Sequence, residues 1–452
     1  TVFTFTTKSA LWEKKVYTLT CIESRFEYKI TVIGKGSVDS VNYFSGNISE
    51  PGHGSDYDFA EGYAPVVSLD GSEPYTFSPI KPYERFSYLT VPPMFCYAFR
   101  TEELTPYLGL GLVAKPGEHN FTQFNYNTTM HRWGAHFWLW TDNSGHTKID
   151  GEWESPSIFG YSAESNIDAV EKYSSFYYEL GYATPKKDEK HPRFWYGPIV
   201  CGWLEQLAAT YRDEEWGLVD SCRQPLYENM LTLLEKRDLH PKVIIIDDKW
   251  QQQYGTCKVN EEKWPDLRGF IDSAREKYDI HTLMWFRMWD SEGLDQDMCV
   301  FDESNNRWCV DPTNPKYVAV LKENIHRIIS SDEGCYNADG LKIDFAFWQP
   351  VGKKANSYSG KYGVELFHEL VKLIYQFIKE EKPHAILNAS PCHPYFADIF
   401  DQARLHDYDY RARNVVEEFT ARAQLYNIAV PNIMIDTDGC GYNTRRDTMR
   451  YM

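Results

Sequence analysis

From Phe194 onward, short apolar segments alternate with longer amphipathic ones, and this alternation constrains the fold more than any other feature. Repeated strand–helix units favour a parallel sheet, and seven of them predict a (β/α)8 barrel of the TIM type. Amphipathic helices with apolar residues three and four positions apart are predicted at 266–278, 314–331, 364–378 and 411–426. The seven predicted strands are 198–203, 243–248, 281–288, 340–345, 384–390, 399–406 and 432–438.

The strand count is one short of a closed eight-stranded barrel, because the sequence ends at Met452, just after the seventh predicted strand. An irregular barrel is one explanation. We favour the other, that the last βα unit is absent from this chain.

Residues 1–182 follow a different pattern, in which β-branched and aromatic segments at 2–6, 17–21, 26–32 and 133–140 alternate with turn residues. Turns are predicted at Gly34-Lys35-Gly36 and Pro51-Gly52-His53-Gly54. This all-β pattern predicts a β-sandwich. The polar, proline-flanked stretch that follows is a predicted linker. The expected organisation is a β-sandwich at 1–182, a linker at 183–193 and the barrel at 194–452.

Composition excludes several classes of function. With 47 basic and 65 acidic residues, the formal net charge is −18, which disfavours nucleic acid and anionic membrane as partners. An apolar run of about 18 residues, as a transmembrane helix needs, does not occur. The ten cysteines form no C-x-x-C pair, which argues against a zinc site and against a small disulfide scaffold. The cellular compartment stays open.

Lys342 and Asp344 are two charges within the apolar run Gly340-Leu341-Lys342-Ile343-Asp344-Phe345. Strand periodicity puts both on one face. Burying two charged side chains is unfavourable, so the protein is expected to use them. At the carboxyl end of a barrel strand, buried charges usually serve catalysis. A nearby ammonium keeps an aspartate ionised, as a nucleophile requires. The alternative is a structural ion pair.

Polar and aromatic residues recur at the other predicted strand ends, which would meet at one face of the barrel. Glycosidic bond cleavage with retention needs two carboxyl groups about 5–5.5 Å apart. We assign Asp344 as the nucleophile and Asp407 as the acid/base, with Asp409 as the fallback. Arg404 would donate hydrogen bonds to sugar hydroxyls or to a carboxylate. Asp247 and Asp248 would accept from sugar hydroxyls beside an apolar wall formed by Trp250.

These motifs, in this order, resemble the α-galactosidases of glycoside hydrolase clan D. The resemblance is closest to family thirty-six, the melibiase and raffinose-synthase relatives, and spans roughly Phe194 to the end. Ile246-Asp247-Asp248-Lys249-Trp250-Gln251 is its most specific part, and Lys342-Ile343-Asp344, Ser390-Pro391-Cys392 and Arg404-Leu405-His406-Asp407 follow in the family's order. The family also has an N-terminal β-sandwich.

The resemblance implies a role for each matching position. Asp344 matches the nucleophile, Asp407 the acid/base, and Arg404 the arginine of the sixth strand. The sugar contacts implied are the acidic pair that reads the 4- and 6-hydroxyls, the lysine, a tryptophan, and the residues at the Gly-Trp and Ser-Pro-Cys segments. These are Asp247, Asp248, Lys342, Trp285, Trp203 and Cys392, beside the apolar wall predicted at Trp250.

The sequence departs from the family at three places. Lys249 stands where the family usually has glycine. Relatives often place the acid/base aspartate four residues after the arginine, where this chain has Tyr408. The segment Asn388-Ala389-Ser390-Pro391-Cys392 replaces the glycine-rich loop of some relatives.

The sequence therefore predicts a retaining, exo-acting α-galactosidase that needs no metal or organic cofactor and acts on an oligosaccharide or glycoconjugate. Three alternatives stay open: the same barrel acting on an α-glucoside or α-N-acetylgalactosaminide, a transglycosylase, and a non-catalytic carbohydrate-binding protein. A Schiff-base aldolase using Lys342 is weaker, because a neighbouring carboxylate raises the pKa of a lysine. Family relatives are often oligomeric, and the sequence leaves a homo-oligomer open.

Overall fold

The computed structural model describes residues 1–44, 59–67, 75–78, 92–102, 105–131, 134–187, 189–212, 221–407 and 415–438. These residues form two main sheets, one antiparallel and one parallel. The predicted turn at 51–54 lies outside the described residues.

The first ten strands form one antiparallel sheet in the order β1-β2-β3-β10-β7-β6-β4-β5, with β9 added to β3 and β8 to β9. The long strand β3 pairs with β10 through its first residues and with β9 through the rest, so the sheet branches there. An antiparallel β region before the parallel one is therefore confirmed. The strands are β1 (Val2–Thr7), β2 (Lys14–Cys21), β3 (Arg25–Tyr43), β4 (Glu61–Tyr63), β5 (Thr76–Phe77), β6 (Cys96–Arg100), β7 (Tyr107–Val113), β8 (Gln123–His131), β9 (Gly134–Glu154) and β10 (Ser157–Ala163).

The turn predicted at Gly34-Lys35-Gly36 is wrong, because β3 runs straight through it. Gly36 is needed there for a close approach: a Cβ at this position would lie 2.9 Å from the indole ring of Trp12. The glycine therefore makes room for the Trp12 side chain, from the connection between β1 and β2, and does not end the strand.

The prediction that residues 1–182 are all β also needs a correction, because helix α1 (Asn166–Glu179) follows β10. The Ser165 side chain accepts a hydrogen bond from the backbone N–H of Asp168 and caps the helix. Val170, Tyr173 and Tyr177 form its buried face. Their spacing of three and four residues is a helical signal inside a region otherwise rich in β-formers.

The second sheet is parallel, in the order β11-β12-β13-β16-β17-β18-β19, which confirms all seven predicted strands and their parallel arrangement. A two-stranded antiparallel hairpin, β14–β15, was not predicted. The remaining strands are β11 (Ile199–Cys201), β12 (Val243–Ile246), β13 (His281–Arg287), β14 (Cys299–Asp302), β15 (Arg307–Val310), β16 (Gly340–Asp344), β17 (Ile386–Ala389), β18 (Gln402–Arg404) and β19 (Met434–Asp436).

Helices connect most of the parallel strands, as the sequence predicts for βα units. Two of them follow β11 where no helix was predicted, and the other four confirm the predicted helices to within a few residues. They are α2 (Trp203–Arg212), α3 (Gln224–Lys236), α4 (Leu267–Tyr278), α5 (Pro315–Ile329), α6 (Gly363–Glu381) and α7 (Val415–Ala429). Among the described helices, none combines the length and the apolar character that crossing a membrane requires.

The parallel sheet is curled like part of a barrel. Lys342 on β16 places its Nζ 3.8 Å from Sγ of Cys201 on β11. These strands are three positions apart, which in a flat sheet would separate them by about 14 Å. The curl therefore gives the sheet an inner face, on which side chains of non-neighbouring strands meet.

The inner face of this curled sheet changes from apolar to polar along the strands. At the amino-terminal end, a small apolar cluster closes the interior with Trp195, Val243, Ile245, Leu283 and Ile386. Two residues further along β12 and β17, the inward positions become Asp247 and Asn388. On these two strands, the alternation thus places a polar side chain at the carboxyl end.

Candidate active site

Lys342 and Asp247 form a buried ion pair on the inner face, with Nζ 2.8 Å from Oδ2 and side chains that are 6% and 4% exposed. The thiol of Cys201 donates to the same Oδ2 over 3.1 Å. Burial lowers the pKa of Lys342, but Asp247, Cys201 and Asp438 together raise it by more, so the ammonium is retained. A charged, hydrogen-bonded lysine is unsuited to Schiff-base chemistry.

Asp344, at the end of β16, has a donor at each carboxylate oxygen. Oδ2 accepts from Nε1 of Trp285 over 3.0 Å, and Oδ1 accepts from the backbone N–H of Phe345 over 2.9 Å. Burial raises the pKa of this carboxyl, but Arg404 and Lys342 lower it by more, so it lies well below the usual range. Asp344 is therefore an oriented carboxylate that stays ionised.

Arg404, at the end of β18, is a guanidinium shared by three carboxylates, and its side chain is 3% exposed. Nη1 donates to Oδ1 of Asp344 over 3.1 Å and Nη2 to Oδ1 of Asp407 over 3.2 Å. Nε donates to Oδ2 of Asp438. One planar cation thus brings the two carboxylates predicted to do the chemistry next to each other.

Asp407 differs from Asp344 in its surroundings, since its side chain is 48% exposed and that of Asp344 only 19%. Partial burial and the carboxylates of Asp438 and Asp344 raise the pKa of Asp407, although Arg404 opposes the rise. A carboxyl group with a raised pKa beside one with a lowered pKa is the pairing that acid and nucleophile roles require. Asp409 lies outside the described residues.

Asp248 faces a different partner from that of Asp247. Its Oδ1 accepts from the hydroxyl of Tyr254 over 2.8 Å. Burial raises the pKa of Asp248, and Tyr254 and Lys249 offset part of the rise. Lys249 itself has φ +78, a left-handed conformation that favours glycine. The family's usual glycine at this position is therefore explained by backbone geometry.

A second layer of polar residues supports Arg404 from β17 and β19. Asn388 donates from Nδ2 to Oδ2 of Asp436 over 2.8 Å, and the backbone N–H of Asp438 donates to Oδ1 of Asp436 over 3.1 Å. Burial raises the pKa of the Asp438 carboxyl, but Arg404, Lys342 and His406 together lower it by more, so it lies below the ordinary value. These contacts fix the position of Asp438, and through it that of the guanidinium.

Three residues predicted to bind substrate do not join this cluster. Trp250 is fully buried and donates from Nε1 to the backbone carbonyl of Trp285, so it supports that residue from behind. Its role as a wall of the sugar site stays a prediction. Cys392 is also fully buried, and its backbone N–H donates to the carbonyl of Pro92, so its substrate contact likewise stays a prediction. Trp203 begins α2, half-buried, two residues after Cys201.

Sequence reasoning missed the supporting roles of several residues. Cys201, Asn388, Asp436 and Asp438 lie at predicted strand ends on the inward-facing alternation, so periodicity could have found them. Tyr254, on a loop, gave no such signal. Tyr227 and His406 belong to the same surroundings: the Tyr227 hydroxyl accepts from the backbone N–H of Asp247, and His406 is buried next to Asp344.

Comparison with known proteins finds similarity in solved structures alone. No protein-family model and no curated sequence matches the chain. Among solved structures, it is similar to the GH36 α-galactosidase AgaB from Geobacillus stearothermophilus, with 12% identity and a TM-score of 0.56 over 98% of this chain and 62% of that one. It is similar to AgaA from the same organism, a GH36 α-galactosidase in complex with raffinose, with 12% identity and a TM-score of 0.57 over 99% and 63%.

A third similar structure is a GH31 dextranase from Flavobacterium johnsoniae complexed with glucose, with 9% identity and a TM-score of 0.53 over 99% of this chain and 55% of that one. The chain thus spans less than two thirds of the length of these proteins. Identities this low show a shared fold and do not show a shared activity. The resemblance to family thirty-six is confirmed at that level: an antiparallel β region followed by a curled parallel sheet is the fold that this chain shares with GH36 α-galactosidases.

Proposed function

We propose that this chain is a glycoside hydrolase that removes terminal α-galactosyl residues with retention, on a (β/α)8 barrel preceded by a β-sandwich. The observation that carries the proposal is the pair Asp344 and Asp407, held by one guanidinium and with pKa values moved in opposite directions. The shared fold with GH36 α-galactosidases supports it.

In the first step, a carboxylate oxygen of Asp344 attacks the anomeric carbon and forms a glycosyl ester. The bond to the leaving oxygen breaks, and Asp407 gives that oxygen its proton. In the second step Asp407 takes a proton from water, the water oxygen attacks the anomeric carbon, and the ester bond to Asp344 breaks. Two inversions return the α-anomer.

The protein's other groups hold this pair in place. Trp285 and the backbone N–H of Phe345 fix the plane of the Asp344 carboxylate, which reduces the reorganisation needed on attack. Asp247, Asp248 and Lys342 are suited to sugar hydroxyls, because carboxylates accept and an ammonium donates.

The test is hydrolysis of 4-nitrophenyl α-galactoside by the whole chain, beside the α-glucoside and the α-N-acetylgalactosaminide. We expect turnover of the galactoside, lost in Asp344→Asn and kept in the control Asp279→Asn, whose carboxylate is exposed at the opposite end of the sheet. An Asp344→Asn variant with full activity would refute the proposal.

Azide rescue tests the individual roles and the retaining mechanism. Azide can replace the missing carboxylate of Asp344→Ala and yield the inverted β-galactosyl azide. In Asp407→Ala it should intercept the glycosyl ester and yield the α-galactosyl azide. The opposite assignment of products would exchange the two roles.

A second candidate is the same chemistry on an α-glucoside, and the similarity to a GH31 dextranase complexed with glucose favours it. Turnover of the α-glucoside alone would move the specificity and keep the mechanism. Binding of galactose by wild type without turnover of any of the three glycosides would favour a carbohydrate-binding protein.

A further inference from the structure

Strand β1 is an open edge of the antiparallel sheet. Among the described residues it pairs with β2 alone, and all six of its residues are exposed. Edge strands of native proteins are usually protected by a charge, a proline, a bulge or a covering element. The sequence of β1, Val2-Phe3-Thr4-Phe5-Thr6-Thr7, contains no charged residue, proline or glycine, and its register with β2 is continuous. Such an edge is suited to pairing with a further strand.

The register with β2 identifies the backbone groups of β1 that point outward. The backbone N–H of Cys21 donates to the carbonyl of Thr1 over 2.7 Å, and the Thr1 amino group donates to the carbonyl of Cys21 over 2.9 Å. Along an antiparallel pair of strands, such doubly bonded residues alternate with residues whose backbone groups point the other way. Because Thr1 is bonded to β2, the N–H and C=O groups of Val2, Thr4 and Thr6 point away from it.

An apolar stripe runs from the core of the sheet to this edge. Phe3 and Phe5 lie on one face of β1, opposite Leu19 and Tyr17 of β2. The neighbour of Tyr17 on β3 is Ile30, which is 8% exposed. Exposure then rises towards the edge, because Tyr17 and Leu19 are half-buried and Phe3 and Phe5 are 47% and 60% exposed. Exposed aromatic side chains that continue a buried face indicate an interaction surface.

The strand is complementary to itself, because its central segment Phe3-Thr4-Phe5 reads the same in both directions. In an antiparallel pair of two copies centred on Thr4, that residue faces the partner's Thr4, and Val2 faces the partner's Thr6. These are the residues with outward backbone groups, so the pair forms about six hydrogen bonds. Phe3 then lies opposite the partner's Phe5 with Cα atoms about 4.5 Å apart. Aromatic pairs across strands stabilise a sheet.

Symmetry and charge favour a second copy as the occupant of this edge. A twofold axis at Thr4 uses the same edge on both copies, so the assembly closes as a dimer and leaves neither β1 open. The axis also keeps the faces of the sheet, so the two apolar stripes join into one. The chain has a formal net charge of −18, and an uncharged strand adds no repulsion of its own between two copies.

We propose that β1 joins two copies of this chain into a dimer by antiparallel pairing centred on Thr4, which makes the two antiparallel sheets continuous. The inference is independent of the proposed function, since none of the residues assigned to the chemistry or to sugar contacts lies on β1. It predicts that the whole chain is a dimer in solution.

Sedimentation equilibrium of the whole chain tests the dimer. We expect wild type at micromolar concentration to have twice the mass of one chain. Phe3→Lys/Phe5→Lys should weaken self-association at least about 100-fold, because like charges then face each other in two places and both aromatic pairs are lost. Phe3→Glu/Phe5→Glu should be equally weak, and an equimolar mixture of the two variants should form a dimer, because opposite charges then face each other.

Leu239→Lys is the matched control, because Leu239 is another exposed apolar residue, 53% exposed and remote from β1 in the chain. It should leave the dimer unchanged. A wild type that stays monomeric up to about 0.1 mM, or a dimer that persists in both double variants, would overturn the proposal.

Cysteine crosslinking tests the register. Thr4→Cys places two thiols opposite each other, on Cα atoms about 5.5 Å apart, so air oxidation should give a covalent dimer on a non-reducing gel beyond the wild-type background. Thr6→Cys is the control on the same face of the strand, about 14 Å from its counterpart in the partner, and should stay uncrosslinked. Equal crosslinking of both variants would refute the antiparallel register, and crosslinking of neither would refute the interface.

Discussion

Removing the guanidinium of Arg404 should destabilise the protein more than any single surface change. In Arg404→Met, the carboxylates of Asp344 and Asp438 lose their cation while their side chains stay 19% and 7% exposed. Breaking a buried ion pair from one side costs about 3–5 kcal/mol. A domain's free energy of unfolding is about 5–15 kcal/mol, so the loss is a large share of it. Asp407 is half exposed and adds little.

The contribution of this site to the free energy of unfolding should change with pH in opposite directions in Arg404→Met and in wild type. In wild type the folded pKa of Asp344 is lowered, so its stabilisation is present above the unfolded pKa of about 3.9 and is lost as the pH falls through the folded pKa. Without Arg404, burial, which is the largest influence on this carboxyl, raises the folded pKa of Asp344 against the opposition of Lys342 and His406. The variant therefore gains stability as the pH falls from 7 through that raised value.

The assay is urea unfolding of the whole chain at pH 7 and pH 5, followed by fluorescence and circular dichroism. Lys35→Met is the control, because it breaks an exposed ion pair with Asp150 and should cost less than about 1 kcal/mol. Arg404→Lys keeps the charge and loses the planar fork, and should lie between the two. An Arg404→Met variant within about 0.5 kcal/mol of wild type at both pH values would refute the reasoning.

Three further changes test other parts of the site and of the core. Trp285→Phe removes a hydrogen-bond donor to the Asp344 carboxylate, so kcat should fall about tenfold and the acidic limb of the pH–rate profile should move to higher pH. An acidic limb at the wild-type pH would contradict this role of Trp285. Lys249→Gly relieves a left-handed backbone and should raise the free energy of unfolding by up to about 1 kcal/mol in urea titrations, and a loss would contradict that. Burial lowers the pKa of His393, so its stabilisation is present above the unfolded pKa of about 6.5 and is lost as the pH falls towards the folded value. His393→Asn should flatten the unfolding free energy between pH 6.5 and 4 by at most about 1.4 kcal/mol per pH unit, and an unchanged slope would exclude this histidine as the cause.

The parallel sheet could be predicted because its strands are short, apolar and separated by helices with clear periodicity. The helices α2 and α3 were not predicted although both are amphipathic, and Trp203, which begins α2, was included in the predicted strand 198–203. Helix α1 was hidden by tyrosine and phenylalanine, which favour strands by propensity yet here form a helical face. Tertiary packing against the sheet decided its conformation.

The candidate site was predictable in composition and less so in its pairings. Alternation placed Lys342 and Asp344 on one face, but the ammonium pairs directly with Asp247, while Arg404 is the direct partner of Asp344. The structural ion pair and the oriented carboxylate thus both exist, on different partners. The pairing of carboxylates with cations depends on the curvature of the sheet. The local sequence does not predict that curvature. The burial of Trp250 depends on the same geometry.

The start of α6 has a consequence for how the protein unfolds. The first backbone N–H groups of a helix have no partner within it, and here those of Val364 and Glu365 donate to the carbonyls of Phe121 and His119, on the connection between β7 and β8. The Glu365 carboxylate in turn accepts from the backbone N–H groups of Gly117 and His119.

Each half therefore supplies the hydrogen-bond partners that the other half lacks. Residues 194–452 produced alone would leave a helix end and a buried carboxylate without their donors and acceptors, next to apolar surface that the antiparallel sheet covers. We expect that fragment to aggregate and the whole chain to melt in a single transition, so the two regions form one cooperative unit even though the sequence divides them into two.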